Sequence, residues 1–265
     1  MLRPLLLVCA SLGIVLLVGL VAVFVAESVA FVRLSGGVAF GTLATLLGNT
    51  LLTTAVALVV AAPVGLLAAL YLSEFASARM RGFLDPLLRF LARVPPIVYG
   101  YFAVSTFLPA LGTIVPGLHQ QYALSAGIAL AGMIVPNFLE HGRAAMDAIP
   151  EHLRDGARAL GAGKFATAVF VVVPAARSRL LAALVLAASR AVGETMIVLV
   201  VLSAWAPGRA ATSHHTLATY FAQFAPANAN ADGHDVGMLF VVGSALLVLA
   251  FVLDGLRVSL DKPDR

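Results

Sequence analysis

The sequence predicts an all-α membrane protein with six transmembrane helices, and three observations support this prediction. First, 61% of the 265 residues are hydrophobic and only 11% are charged, whereas a soluble domain is about half apolar and about a quarter charged. Second, uncharged apolar runs long enough to cross a bilayer recur along the chain. Third, Lys and Arg concentrate in the segments on one side of these runs. This composition excludes a soluble enzyme, and a net charge of +4 without a basic tract excludes a nucleic-acid-binding protein.

The first two spans follow from counting apolar runs of roughly 20 residues, the length that crosses the hydrocarbon core. Residues 5–26 form the first run. We expect it to be a membrane helix, because its 22 residues exceed the roughly 7–15 apolar residues of a cleaved signal peptide. Residues 34–73 are also uncharged but contain early turn residues, so we expect the second helix over about residues 50–72.

The other four spans lie between residues 94 and 253. Residues 94–139 are too long for one helix and form the third and fourth spans. The turn residues that separate these two spans are Pro109, Gly112, Pro116 and Gly117. The fifth span is predicted at residues 180–203 and the sixth at residues 236–253.

The distribution of Lys and Arg predicts the orientation of the spans, because cytoplasmic loops hold the excess of these residues. Fourteen lie on one side and two on the other. The side with fourteen contains Arg3, Arg79, Arg81, Arg89, Arg93, Arg143, Arg154, Arg158, Lys164, Arg177, Arg179, Arg257, Lys262 and Arg265. The other side contains Arg33 and Arg209. We therefore expect both termini and the loop of residues 140–179 in the cytoplasm, and residues 204–235 on the outside.

The predicted cytoplasmic loop of residues 140–179 contains an acidic residue, small residues and a proline at a recognisable spacing. From Asp155 it reads DGARALGAGKFATAVFVVVP, with Gly161 six positions after Asp155 and Pro174 13 positions after Gly161. This spacing resembles the EAA loop of ABC importer permeases, with Asp for Glu, Gly for the first Ala, and Val for an Ile and a Leu. Small residues before Gly161 let a helix approach a partner closely, and Gly161 permits a sharp turn.

The resemblance implies that residues 157–164 dock in a cleft of a separate ATPase subunit. The residues it implies at this contact are Asp155, Gly156, Ala157, Arg158, Gly161 and Lys164. The alternative is an amphipathic helix on the membrane surface, with Phe165, Val169 and Val172 as its apolar stripe. The chain contains no G-x-x-x-x-G-K-[ST] phosphate loop. We therefore expect no cofactor on this chain, and ATP and Mg²⁺ on a partner ATPase.

Two charged residues, Arg190 and Glu194, lie near the centre of the predicted fifth span. A charged residue in the middle of the bilayer costs at least roughly 2.5–3.5 kcal/mol, so such residues usually face a bundle interior or a water-filled cavity. Because Arg190 and Glu194 are four residues apart, they share one face of the predicted helix and can pair. The residues alone leave two interpretations open, an ion pair that holds the span to its neighbours and a substrate path.

Three short strings resemble the permeases of phosphate-specific (Pst) ABC transporters. Residues 189–196, SRAVGETM, resemble the R-A-x-G-E-T-M segment of that family. Residues 69–76, ALYLSEFA, resemble its A-x-Y-L-S-E-F/Y-A, and residues 94–100, VPPIVYG, resemble its x-P-S-x-V-Y/F-G with Pro96 in place of Ser. Met after Glu-Thr favours the PstC type over the PstA type. The resemblance extends from about Gly48 to the C-terminus.

This resemblance implies a type I ABC importer permease fold with a permease domain at residues 48–258. A first helix and outer loop precede it at residues 1–47, and a short cytoplasmic tail follows at residues 259–265. It implies that Arg190 meets the phosphate anion as a guanidinium donor, and that Glu194 holds Arg190 or offsets its charge. The implied partners are a PstA-like second permease, a PstB-like ATPase dimer and a PstS-like external phosphate-binding protein, at the bacterial cytoplasmic (inner) membrane.

Two other functions are alternatives to phosphate transport. A permease for another oxyanion, such as sulfate, molybdate or tungstate, is the closer rival, because the EAA loop indicates the mechanism and not the substrate. An intramembrane protease would need a buried Ser with His, paired Asp residues or an H-E-x-x-H motif. The predicted spans contain none of these.

The predicted outer loop contains acidic residues and histidines as well as an apolar stripe. The polar set is His214, His215, Asp232, His234 and Asp235. No metal-ligand spacing recurs among them, so we expect no metal site. The apolar set, at positions i, i+3, i+4 and i+7, predicts a short helix that lies at the outer membrane interface and serves packing instead of ligand binding. Its members are Leu217, Tyr220, Phe221 and Phe224.

Overall fold

The computed structural model describes residues 2–34, 38–117, 121–205, 214–227 and 233–261, and these ranges contain helices and turns without a β-strand. The helices of the first half are α1 (Leu2–Leu34), α2 (Val38–Leu70), α3 (Ala78–Leu91), α4 (Pro96–Phe102), α5 (Leu108–Gly112) and α6 (Tyr122–Asp147). Those of the second half are α7 (Glu151–Ala159), α8 (Lys164–Thr167), α9 (Val173–Ala175), α10 (Arg177–Val192), α11 (Met196–Trp205), α12 (Leu217–Ala227) and α13 (Gly233–Leu260). Turns of π-helix lie at Tyr71–Phe75, Ala103–Phe107 and Ala168–Val172. The all-α prediction is confirmed.

The spans are long helices and bent helix pairs. Within the described ranges, the helices long and apolar enough to cross a membrane alone are Leu6–Leu34, Phe40–Phe75, Tyr122–Asp147 and Val236–Leu260. Two bent pairs have the same character: α3 with Pro96–Gly112, bent by 94°, and Lys164–Ala175 with α10, bent by 69°. If each pair counts as one span, the number is six, which is the number predicted. The second pair, however, includes residues 164–175 of the predicted cytoplasmic loop and excludes α11, which the predicted fifth span contains. The orientation stays a prediction, and three of the residues on which it depends lie outside the described ranges: Arg209, Lys262 and Arg265.

The second helix begins earlier than predicted. The start was expected at about residue 50 because turn residues come early in this run, but α2 begins at Val38 and includes Gly41 and Gly48. The turn residues at positions 35–37 lie outside the described ranges. A Cβ atom at Gly41 or Gly48 would meet no atom within 4 Å. Glycine is common in transmembrane helices, because an apolar surrounding leaves the backbone no hydrogen-bond partner outside its own helix. The predicted start of the helix at about residue 50 is therefore wrong.

Residues 1–49 and 211–249 form one compact unit. Its core contains the predicted stripe of α12, in which Leu217 is fully buried and Tyr220 is 8% exposed. The stripe packs against apolar side chains of α1, α2 and α13, which include Phe31, Leu46, Met238, Leu239 and Val242. The predicted short helix and its packing are confirmed, and its place at the outer interface stays a prediction.

Residues 50–210 and 250–265 form a second compact unit. In this unit α2 and α6 approach each other closely at Gly127. A Cβ atom at Gly127 would lie 2.7 Å from Cβ of Val56 and 2.9 Å from the carbonyl oxygen of Thr53. Small residues of this kind let membrane helices associate through van der Waals contact between their backbones.

Candidate translocation and docking sites

The fifth predicted span is interrupted at its centre. Helix α10 ends at Val192 and α11 begins at Met196, so Gly193–Thr195 lie outside both helices. The prediction of one continuous helix is therefore wrong. Arg190 and Glu194 therefore do not share one helical face, because Arg190 belongs to α10 and Glu194 lies in the break.

Glu194 caps the start of α11. Its Oε1 atom accepts hydrogen bonds from the backbone N–H groups of Met196, at 2.9 Å, and Ile197, at 3.4 Å. The first N–H groups of a helix lack partners within the helix and carry partial positive charge, so a carboxylate there is stabilised. The Glu194 carboxylate therefore offsets the partial positive charge at the start of α11. The predicted pairing of Glu194 with the Arg190 guanidinium is wrong.

Arg190 lies in the last turn of α10 with an exposed side chain. Among the described residues, no carboxylate lies within ion-pair distance of its guanidinium. It lies close enough to the phenol of Tyr99 to interact with it electrostatically. An exposed guanidinium without a carboxylate partner, in a segment of membrane-spanning character, can bind an anion.

Helix α4 places Tyr99 and Gly100, from the string VPPIVYG, against α11. A Cβ atom at Gly100 would lie 3.2 Å from Cα of Ile197, so the glycine permits this close approach. The hydroxyl of Tyr99 donates a hydrogen bond to the carbonyl of Leu91 at 2.8 Å, which fixes the ring near the break in the span. Two of the strings that carry the family resemblance are therefore neighbours in the fold.

The predicted docking loop folds as α7, a tight turn and α8. At the turn, Gly161 has φ +86°, the left-handed conformation that glycine adopts without steric cost. The Gly161 amide donates a hydrogen bond to the carbonyl of Arg158 at 2.9 Å, and the Ala162 amide donates to the carbonyl of Ala157 at 3.0 Å. These bonds close the C-terminus of α7. The predicted sharp turn at Gly161 is confirmed.

The residues predicted to contact an ATPase are accessible. The exposed members are Asp155, Gly156, Arg158, Gly161 and Lys164, and Ala157 is half-buried. Arg158 pairs with Asp155 at 3.0 Å and with Glu151 at 3.3 Å. Leu160, beside the turn, is 91% exposed. The segment thus presents an apolar tip with charged groups around it, as the centre and rim of a protein contact do.

The alternative of an amphipathic helix on the membrane surface requires Phe165, Val169 and Val172 to form one exposed stripe. Val172 is fully buried in a core cluster that also contains Met146. Phe165, in contrast, is 66% exposed. The three side chains therefore share no exposed face, which contradicts this alternative.

A buried ion pair that the sequence analysis missed joins α7 to the end of α2. Arg154 is 7% exposed, and its Nη2 and Nε atoms donate to Oε1 of Glu74 at 2.9 and 3.2 Å. The guanidinium also donates to the carbonyls of Ile149, at 2.6 Å, and Met146, at 2.9 Å. Glu74 follows a long apolar run and lies in one of the family strings, which marked it as a candidate for a specific role. Nothing in the sequence identified Arg154 as its partner.

Further polar contacts extend this pair to α3 and α6. The Ser73 hydroxyl donates to Oδ1 of Asp147 at 2.6 Å. Arg143 pairs with Asp147 at 3.2 Å and also with Asp85 of α3. Charged and hydroxyl side chains therefore join α3, α6 and α7 to the π-helical turn after α2, in part within the predicted docking loop.

The candidate metal ligands of the outer loop are described only in part. Asp232 and the side chains of His234 and Asp235 lie outside the described residues. His215 is 3% exposed, and its ring lies edge-on to Phe224 at 5.8 Å. His215 is a packed core residue.

Comparison with known proteins identifies the family. Residues 61–263 match the family described as "Binding-protein-dependent transport system inner membrane component". The chain therefore belongs to this family of membrane transport components.

Individual relatives include permeases named for phosphate transport. The chain is 32% identical over 163 residues to the "Probable ABC transporter permease protein YqgH" of Bacillus subtilis, over 62% of this chain and 52% of that protein. It is 34% identical over 154 residues to "Phosphate transport system permease protein PstA 1" of Mycobacterium tuberculosis, over 58% and 49%. It is 30% identical over 239 residues to PstC of Mesorhizobium japonicum, over 81% and 69%. The chain thus spans about half the length of the first two relatives.

A chain of a solved ABC transporter shares the fold. A chain of the MetNI methionine ABC transporter, determined in inward-facing conformations, matches with a TM-score of 0.55 and 19% identity. The match covers 82% of this chain and 94% of that chain. The fold is therefore that of the type I ABC importer permeases, as predicted.

Proposed function

We propose that this chain is the permease subunit of an ATP-driven ABC importer that carries inorganic phosphate across the bacterial cytoplasmic (inner) membrane. The main supporting observation is the exposed guanidinium of Arg190, which has no described carboxylate partner and lies beside the break between α10 and α11. The names of the PstA and PstC relatives support phosphate as the substrate. Glu-Thr-Met at the break favours a PstC-type role, with a PstA-like permease as the second subunit.

The chemistry of Arg190 and Glu194 suits transient binding of an anion. Phosphate presents several acceptor oxygens, and a guanidinium donates to two of them at once. A helix N-terminus would add further donors and hold the anion more tightly. Glu194 already occupies the N–H groups of Met196 and Ile197. In this proposal Arg190 alone supplies the charge, so that the anion is bound and then released.

Coupling in this proposal depends on the docking loop. A PstB-like ATPase dimer binds ATP and Mg²⁺ and contacts the exposed segment that ends at Leu160 and Gly161. The residues assigned to this contact are Asp155, Gly156, Ala157, Arg158, Gly161 and Lys164. A PstS-like binding protein delivers phosphate on the outer side. The buried pair of Arg154 and Glu74 then connects the ATPase contact to α2.

A transporter for sulfate, molybdate or tungstate is the alternative within the same mechanism. Each of these is a tetrahedral oxyanion with acceptor oxygens that a guanidinium can bind. Competition between unlabelled oxyanions and labelled phosphate separates the candidates, because the preferred substrate competes at the lowest concentration.

The test measures uptake of radiolabelled phosphate into membrane vesicles that contain the complete transporter and the external binding protein. Arg190→Gln should lower uptake about tenfold or more, as expected when a charged hydrogen bond of roughly 1.5–3 kcal/mol is lost. Arg190→Lys should recover part of the uptake, because it keeps the charge but not the bidentate geometry. The control is Arg177→Gln, an exposed arginine at the other end of α10. Equal uptake by the Arg190→Gln and Arg177→Gln transporters would contradict the proposal.

A further inference from the structure

A second cationic site lies in a cavity among α6, α10 and the last turns of α13. The cavity has a volume of about 470 Å³, and its polar lining consists of His141, Arg179, Arg257 and Asp261. Alanines of α6 and α10, together with Leu186, form an apolar wall. Arg190 does not line this cavity, so the site is separate from the one assigned to translocation.

The lining of this cavity has an excess of positive charge. Two arginines face one aspartate, Asp261. Arg179 has no ion pair with a described carboxylate. Arg257 contacts Asp254 at 3.4 Å, a neighbour on its own helix whose side chain is 64% exposed. Such an exposed pair is weak, so both guanidiniums remain able to bind an anion.

His141 adds an imidazole ring to the two guanidinium groups of the lining. Its Nδ1 atom lies 2.8 Å from the carbonyl oxygen of Asn137. A carbonyl oxygen only accepts hydrogen bonds, so Nδ1 carries the proton and donates. Nε2 is therefore the ring nitrogen left to bind a ligand. This bond also fixes the orientation of the imidazole.

The shape and position of the cavity define the ligand class. Guanidinium groups match the oxygens of a phosphate group in a bidentate way. The volume is in the range of small-molecule sites, about 300–1,000 Å³, and the alanine wall leaves room for an apolar body beside the charge. The distribution of Lys and Arg predicts that these helix ends face the cytoplasm, where the membrane leaflet is anionic and basic pockets between helices bind lipid head groups.

We propose that this cavity binds a phosphate group, supplied either by the head group of an anionic lipid or by free phosphate in the cytoplasm. The proposal does not depend on which ion the transporter carries, since it concerns residues outside the translocation site. It assigns the charge of the site to Arg179 and Arg257.

The lipid arm of the test uses the complete transporter, with its partner subunits, in phosphatidylcholine nanodiscs that contain phosphatidylglycerol as a minor component. Mass spectrometry of the lipids that stay bound after detergent extraction measures the preference for phosphatidylglycerol. Arg179→Gln or Arg257→Gln should lower this preference about fivefold, and the double variant about 30-fold, the factors expected for one and two basic residues near anionic lipid. Arg177→Gln is the matched control, because Arg177 lies on α10 but does not line the cavity.

The free-phosphate arm uses nanodiscs of phosphatidylcholine alone and measures binding of radiolabelled inorganic phosphate to the same complex. All proteins in this arm carry Arg190→Gln, so that the translocation site does not contribute to the signal. Phosphate binding that is lost in the Arg179→Gln, Arg257→Gln background and kept with Arg177→Gln identifies free phosphate as the source. Loss in the lipid arm alone identifies the lipid head group.

The proposal is overturned if the double variant and the Arg177→Gln control bind phosphatidylglycerol and phosphate equally. If the double variant does not assemble, the two single variants give the same comparison. A wild-type complex that shows neither a preference for phosphatidylglycerol over phosphatidylcholine nor bound phosphate also overturns it.

Discussion

The guanidinium of Arg154 and the carboxylate of Glu74 form an ion pair of 2.9 Å in which the two side chains are only 8% and 10% exposed. The two residues are 80 positions apart in the sequence. Arg154 belongs to α7 in the predicted docking loop, and Glu74 belongs to the π-helical turn that follows α2. The pair therefore links this loop to the end of α2.

Breaking this pair from one side should destabilise the protein. Arg154→Gln leaves Glu74 buried without its cation, and the expected loss is about 3–5 kcal/mol of unfolding free energy. Glu74→Gln combined with Arg154→Gln should recover most of it, because neither charge is then buried alone. Thermal unfolding of the purified complex measures the effect. Arg158→Gln, at an exposed pair, should cost less than about 1 kcal/mol, and a similar cost for Arg154→Gln would contradict the role of the buried pair.

The turn of the docking loop should tolerate substitution at one glycine and not at another. Gly161→Ala forces a side chain into φ +86°, a cost of about 1–2 kcal/mol, although the space around it is open. Gly163→Ala meets open space and has φ −68°, so it should have little effect. Pull-down of the ATPase subunit with each variant compares them. Equal ATPase binding and equal thermal stability of the two variants would show that the left-handed turn is unimportant.

The contact between α2 and α6 should be sensitive to a single methyl group. Gly127→Ala would place a Cβ atom 2.7 Å from that of Val56, and such overpacking costs typically about 1–3 kcal/mol. Gly132→Ala is the control in the same helix, since its nearest neighbour is a Tyr99 carbon at 4.0 Å. Thermal unfolding in detergent should therefore separate the two variants. A Gly127→Ala protein as stable as the control would mean that the helices adjust without cost.

Acid should weaken the unit that contains His215. Burial, with a smaller contribution from the nearby His214, lowers the pKa of His215 below its ordinary value of 6.5. The unfolded chain then takes up a proton more readily than the folded one. Stability is therefore complete above about pH 6.5, falls as the pH decreases from there to the folded pKa, and does not fall further through this group.

The variant His215→Gln checks this pH dependence. It should remove the loss of thermal stability between neutral pH and mildly acidic pH, because no group at this position then takes up a proton. His152→Gln, at an exposed histidine of α7, should leave the loss unchanged. A wild-type protein whose unfolding temperature does not fall as the pH drops below 6.5 would count against the buried histidine as the cause.

Features that depend on local composition were predictable from the sequence. The number of spans, the packed stripe beginning at Leu217 and the turn at Gly161 all follow from hydropathy, helical periodicity or backbone sterics. The start of α2 at Val38 was not predictable in this way, because a membrane helix accommodates glycines such as Gly41 and Gly48. Arg154 and Glu74 were counted as charges, but their pairing depends on the tertiary fold.

The candidate translocation site was predicted in composition but not in geometry. The sequence identified Arg190 and Glu194 as the charged residues of the fifth span. A run of apolar residues gave no indication that Glu194 would bind backbone N–H groups, because hydropathy describes side chains and not the state of the backbone. The family motif therefore identified Arg190 and Glu194, but it did not indicate which groups each side chain contacts.

The break at Gly193–Thr195 also has a consequence for biogenesis. Helix α10 has 16 residues and α11 has 10, lengths of roughly 24 and 15 Å at about 1.5 Å per residue. Neither reaches across a hydrocarbon core of about 30 Å, so neither is a complete insertion signal by itself. We therefore expect α10 to enter the bilayer together with a neighbouring segment, either residues 164–175 or α11, and against α6, which packs on both α10 and α11.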